Sequence, residues 1–102
     1  MTEITIAGRK IGPAHPPYVI CELSGNHNGS LDRALMLMNE AAKTGCDAIK
    51  LQTYTADTMT IKCSADPFQV KINDAWRGNT LYELYEKAHT PWAWHRALKE
   101  RA

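Results

Sequence analysis

No stretch of this chain approaches the roughly 20 consecutive apolar residues that a membrane-spanning helix requires. Its start, Met1-Thr2-Glu3-Ile4, has no basic patch running into an apolar segment of the kind that directs secretion. Neither charge is in excess: 12 Lys and Arg stand against 11 Asp and Glu, spread along the chain, for a formal charge of +1. Without a basic stripe there is no electrostatic footprint for nucleic acid. The expected setting is cytoplasmic, with neither nucleic acid nor a membrane as partner. Cysteine is scarce as well. Cys21, Cys46 and Cys63, an odd number at wide spacing, fit neither a disulfide framework nor a zinc site. Cys21 and Cys46 lie in apolar surroundings and read as small buried thiols rather than nucleophiles. What is present is ordinary: 44% apolar and 23% charged residues over 102 positions, the composition of one globular domain at most.

Residues 3–11 alternate apolar and polar around Ala7-Gly8, the pattern of a short hairpin with glycine at its turn. Gly12-Pro13-Ala14-His15-Pro16-Pro17 forbids helix and ladder alike and predicts an extended connector. Tyr18-Val19-Ile20-Cys21-Glu22-Leu23 is a near-continuous apolar run ending in an acid, which predicts a parallel strand buried on both faces. Ser24 to Gly29 is turn chemistry, and Ser30 is a good N-cap for a helix with Leu31, Ala34, Leu35, Met38, Ala41 and Ala42 at helical spacing. Gly45 closes that helix in the left-handed conformation. Asp47-Ala48-Ile49-Lys50-Leu51-Gln52 then supplies a second strand, so that strand, helix and strand fit within the length of about 35 residues typical of one βαβ unit. Residues 53–78 read as a long loop with short strand pieces. From Asn79 the pattern is helical again, through Leu81, Leu84, Tyr85 and Ala88, until Thr90-Pro91 opens a further helix. The predicted organisation is a hairpin and connector over 1–17, and over 18–102 a parallel α/β unit with following helices. Two parallel strands leave open edges, so the segment is expected to be an incomplete piece of a larger chain.

The period of two along a strand puts Ile20 with Glu22 on one face, and Ala48, Lys50 and Gln52 together on the next strand. Ile49 and Leu51 then point to the helix layer. A carboxylate, an ammonium and an amide at the C-terminal ends of neighbouring parallel strands are costly to bury unless they pair or meet a ligand, and α/β enzymes bind substrate at those ends. Glu22, Lys50 and Gln52 are therefore candidate site residues; a purely structural Glu22–Lys50 ion pair stands beside that reading. Asn26 and His27 lie just past the strand end, within reach of a ligand, although a lone histidine is weak evidence for a metal. Asn28 and Gly29 read as turn residues. Tyr82, Tyr85, Trp92 and Trp94, at helical spacing, are expected to pack a core.

Two motifs carry a resemblance. Glu22-Leu23-Ser24-Gly25-Asn26-His27-Asn28-Gly29-Ser30-Leu31 and Asp47-Ala48-Ile49-Lys50-Leu51-Gln52-Thr53 resemble the sialic-acid synthase family, in matching order and spacing. Leu51-Gln52-Thr53-Tyr54, Asp57-Thr58-Met59-Thr60 and the stretch from Leu81 to Trp92 are most similar to the branch of that family that makes pseudaminic acid. The resemblance implies a (β/α)8 barrel, of which this chain is the N-terminal part. It implies condensation of phosphoenolpyruvate with an amino sugar, 2,4-diacetamido-2,4,6-trideoxy-L-altrose, assisted by a divalent metal, Mn2+ or Mg2+, whose ligands lie outside this chain. Glu22 matches the family's acid near the metal, and Lys50 and Gln52 match residues that hold sugar oxygens. Asn79, after Gly78, matches a Gly-Asn pair that contacts the sugar. The full-length protein is expected to be a domain-swapped homodimer, and the 102-residue chain alone to be inactive. A neuraminate or legionaminate synthase, and a non-catalytic interaction module, are the alternative readings.

Overall fold

The computed structural model describes residues 2–71 and 75–102. Strands β1 (Ile4–Ile6) and β2 (Arg9–Ile11) pair antiparallel with Ile4 opposite Ile11. Their two-residue turn has both central positions left-handed, Ala7 at φ 48° and Gly8 at φ 80°. That is the type I′ geometry matching the twist of a hairpin, and at Ala7 it costs about 1–2 kcal/mol because a Cβ crowds the following carbonyl. Arg9 ties the hairpin to the rest of the chain: it pairs with the Asp47 carboxylate, donates to the Pro17 carbonyl at 3.3 Å and lies 5.8 Å over the Tyr18 ring. The connector is not simply extended, because the His15 N–H donates to the Gly12 carbonyl at 3.1 Å and closes a turn.

Strand β3 (Ile20–Glu22) is followed by helix α1 (Leu31–Lys43) and strand β4 (Ala48–Lys50), and β3 and β4 pair in parallel. The strands are shorter than the apolar runs that announced them. Asp47 aligns them: its carboxylate accepts from the Val19 N–H at 2.8 Å, and its own N–H donates to the Val19 carbonyl at 2.8 Å. The Ser30 hydroxyl accepts from the Arg33 N–H, capping α1, and the helix ends at Thr44 with Gly45 at φ 78°. One face of the strand pair is packed. Leu23, Ala34, Met38 and Leu98 form the buried core, with Leu31, Leu35, Leu37, Ile49, Leu51 and Trp94 against it.

The predicted burial of β3 on both faces does not hold: Val19 and Ile20 are each 52% exposed. A parallel strand is hidden from solvent on both faces only when layers cover both, and among the described residues α1 and the last helix cover one. The long loop also differs from expectation. In place of strand pieces it carries helix α2 (Ala56–Met59), a 3-10 turn at Asp66–Phe68 and a single bridge from Gln69 to Thr80. Helix α3 (Leu81–Ala88), a 3-10 turn at Trp92–Trp94 and helix α4 (His95–Arg101) complete the chain. α3 opens on a reciprocal cap, with the Glu83 N–H on the Thr80 hydroxyl and the Thr80 N–H on the Glu83 carboxylate, both at 3.2 Å. The architecture is α/β: one βαβ unit, a separate hairpin and helices, with no closed barrel among the described residues.

Candidate active site

The parallel register sets Glu22 opposite Lys50, each the last residue of its strand. Because side chains alternate along a strand, both leave the sheet on the face away from α1, and the Lys50 ammonium donates to the Glu22 carboxylate at 2.6 Å. The two side chains are 53% and 54% exposed. An ion pair that wet is worth under about 1 kcal/mol, so the fold has little need of it.

Past the strand ends lies a cleft of ≈ 670 Å³, lined on the strand side by Ser24, Asn26 and Gln52 and on the helix side by Leu84 and Tyr85. Its position at the C-terminal edge of a parallel pair is where α/β proteins bind ligands. The loop from β3 to α1 is a string of tight turns, with Asn26, Asn28 and Ser30 N–H groups bonded to the carbonyls of Leu23, Gly25 and His27 at 3.2, 3.2 and 3.0 Å. Ser24, Asn28 and Gly29 are left-handed at φ 52°, 54° and 77°, consistent with the turn chemistry read for Asn28 and Gly29. Gln52 is held by its backbone, whose carbonyl accepts from the Thr90 N–H at 2.8 Å. Asn26 borders the cleft and also a smaller hollow of ≈ 110 Å³ that Glu22 lines.

The expected site residues therefore separate. Asn26 and Gln52 wall the cleft, whereas Glu22 and Lys50 are not among its lining residues, and Glu22 lines the smaller hollow. His27 does not reach a ligand: it is fully buried, with Nε2–H donating to the Ala88 carbonyl at 3.2 Å and Nδ1 accepting from the Gly29 N–H at 2.9 Å. Both nitrogens are satisfied only by the neutral Nε2–H tautomer, and burial pushes the imidazole below its ordinary pKa. Trp94 meets it edge-on at 4.9 Å. His27 thus fastens the cleft loop to the end of α3 instead of facing the cleft. Asn79 is also displaced from the cleft wall. Its amide donates to the Trp76 carbonyl at 3.1 Å and accepts from Lys87 at 3.5 Å, bracing the turn from which Trp76 enters the cleft.

Arg33, Tyr54 and Trp76 line the cleft but were not among the candidate site residues of the sequence. Tyr54 had a signal, since it lies two residues beyond Gln52 and so shares its side in an extended segment. Its ring meets Tyr85 edge-on at 5.5 Å, which puts Tyr85 on the cleft as well as in packing. Trp92 contradicts the expectation of packing, being 73% exposed with its ring stacked 5.1 Å from His95. His95 in turn bonds the Thr53 hydroxyl at 2.6 Å, pinning α4 to the segment that follows β4. The cysteines are unbridged. The Cys21 thiol is pushed up first by hydrogen bonding with Cys46 and then by burial, the opposite of what a nucleophile needs. Among the described residues no three His, Cys, Asp or Glu side chains gather closely enough to hold a metal ion.

The sequence profile of the NeuB family matches residues 37–102. A pseudaminic acid synthase of Campylobacter jejuni is 47% identical over 85 residues, covering 83% of this chain and 24% of that protein. A pseudaminic acid synthase of Helicobacter pylori is 44% identical over 87 residues, covering 85% and 25%. An N,N'-diacetyllegionaminic acid synthase of Legionella pneumophila is 34% identical over 85 residues, covering 83% and 24%. The chain thus spans about a quarter of the length of these relatives.

Proposed function

The chain belongs to the NeuB family, and from that membership we propose that it supplies the first βαβ unit of a pseudaminic acid synthase. The reaction is the condensation of phosphoenolpyruvate with 2,4-diacetamido-2,4,6-trideoxy-L-altrose in the cytoplasm. The observation that carries this reading is the in-register Glu22–Lys50 pair at the C-terminal ends of two parallel strands, with Asn26 and Gln52, a few residues further along the chain, walling a cleft. Glu22 opens the first motif that resembles the family and Lys50 and Gln52 lie within the second, and the 47% identity to a pseudaminic acid synthase favours that sugar.

In this proposal Glu22 is the general base that takes the proton of the attacking water, and in its protonated form it can return a proton to the aldehyde oxygen as the carbon–carbon bond forms. Lys50 donates to a sugar oxygen once the ligand competes with Glu22 for its ammonium, and Gln52 and Asn26 offer amides that orient hydroxyl and carbonyl oxygens. The barrel would be completed, and its homodimer formed, by residues outside this chain. A divalent cation, Mn2+ or Mg2+, would act as Lewis acid in the reaction. As the family resemblance implies, its ligands would lie outside this chain.

The test is a chimera in which this chain replaces the matching quarter of the Campylobacter jejuni relative. The expected result is pseudaminic acid and phosphate from the two substrates, while the 102-residue chain alone releases phosphate at background. A folded chimera that accepts N-acetylmannosamine or the legionaminate precursor in place of the altrose sugar would move the assignment to the neuraminate or legionaminate branch. A folded chimera inert with every acceptor would leave the chain as a non-catalytic module.

A further inference from the structure

We propose that Arg33 makes the cleft a site for an anionic group, a carboxylate or phosphate carried by a small sugar-like molecule. The anion is argued from Arg33 itself; its identity as part of a sugar acid or an enol phosphate rests on the function proposed above.

Among the described residues lining the cleft, Arg33 is the one charged side chain. The others that matter to a ligand are neutral hydrogen-bonding groups, Ser24, Asn26 and Gln52, and the aromatic faces of Tyr54 and Trp76. A concave wall of amides and rings with a single guanidinium suits a ligand with hydroxyls, a ring face and one negative charge.

The guanidinium is held in place. Its Nε donates to the Asn26 carbonyl at 2.7 Å, so the loop that supplies Asn26 to the cleft also fixes the plane of the fork. The two Nη nitrogens make no hydrogen bond to the described residues, and no acid among them lies within ion-pair distance. Four N–H donors in a pre-set plane are the geometry that binds carboxylate or phosphate bidentately.

The position of Arg33 also runs against what the helix wants. It is the third residue of α1 after the Ser30 cap, where the reciprocal cap calls for Glu or Gln and the helix dipole favours an acid. The same chain obeys that rule at α3, with Thr80 and Glu83. At α1 Asp32 provides the acid of the first turn without pairing with Arg33, and a cation occupies the capping-box position instead. A local preference broken by a residue whose Nη nitrogens have no partner among the described residues is the pattern expected at a functional position.

Binding is read by NMR on the chain, following the side-chain amides of Asn26 and Gln52. The probes are N-acetylneuraminate, phosphoenolpyruvate, inorganic phosphate and the neutral N-acetylmannosamine. The expected result is that at least one anionic probe binds about tenfold tighter than the neutral sugar. Arg33→Met, which keeps the aliphatic stem, abolishes that advantage and leaves the neutral sugar unchanged. Arg33→Lys, with a point charge in place of the fork, retains only part of it. The carboxylate and phosphate probes separate the two sources of the anion. Unchanged anion affinity in a folded Arg33→Met chain overturns the proposal, as does failure of every anion to shift the two amides. Inorganic phosphate bound through Arg33 with no contribution from a sugar keeps the anion site and counts against the sugar-acid synthase.

Discussion

Replacing His27 by alanine should unfasten the cleft loop, and the structure sets the size of the effect. The imidazole is fully buried and answers two backbone groups, the Ala88 carbonyl at 3.2 Å and the Gly29 N–H at 2.9 Å. Removing it strands both partners, each at about 1–3 kcal/mol, and deletes the edge contact with Trp94, worth about 1 kcal/mol. Because these costs share one cavity and are not additive, the expected loss is about 3–5 kcal/mol. The pH dependence supplies a second, independent reading. Burial holds the folded imidazole below its ordinary value of 6.5, so as pH falls through 6.5 the unfolded chain takes up a proton that the folded chain resists. The unfolded state then binds more protons and stability declines with acidification, down to the folded pKa. Urea unfolding at about pH 7.5 and about pH 5.5 therefore should show the gap between the parent chain and His27→Ala narrowing at the lower pH. A loss below about 1 kcal/mol at the higher pH, or a gap that widens on acidification, refutes the reasoning.

Other substitutions follow from burial and bonding. Thr90 is fully buried with its hydroxyl unpartnered among the described residues; Thr90→Val should raise the thermal midpoint or leave it unchanged, because it removes a polar group that has no bond to lose. Leu98, 1% exposed in the core, should cost about 2–5 kcal/mol as Leu98→Ala in the same urea assay. A Cβ at Gly25 would come within 3.1 Å of the Ala88 Cβ and 3.3 Å of the Ala88 carbonyl oxygen, so Gly25→Ala should destabilise by about 1–3 kcal/mol and shift the amide signals of both the cleft loop and the end of α3. Trp92→Ala, by contrast, should change stability by no more than about 0.5 kcal/mol, since the ring is 73% exposed.

Features governed by near neighbours in the chain were legible before any coordinates. Ser30 and Gly45 bracket α1 because a cap and a left-handed stop act within one turn, and the period of two put Glu22 and Lys50 on a shared face. Features governed by distant partners were not. His27 is buried by Ala88, 61 residues away, and by Trp94, and nothing in Asn26-His27-Asn28 announces either. The two-sided burial expected of β3 depends on which layers lie over it, and a strand's own composition cannot count them. Trp92 fits a helical stripe by spacing, yet the 3-10 turn at Trp92–Trp94 rotates its ring out to stack on His95. Arg33 was overlooked because its significance lies in a departure from the usual helix start, visible once the Asn26 carbonyl is seen to hold it.

The role of Glu22 is tested most directly by Glu22→Gln in the chimeric synthase, measured as phosphate release alongside the thermal midpoint. With the carboxylate half exposed and its ion pair worth under about 1 kcal/mol, the midpoint should barely move, whereas turnover should fall by about 10²–10⁴-fold if Glu22 is the base. A variant that keeps its turnover while losing several degrees of stability would make Glu22–Lys50 a brace and not a centre of chemistry.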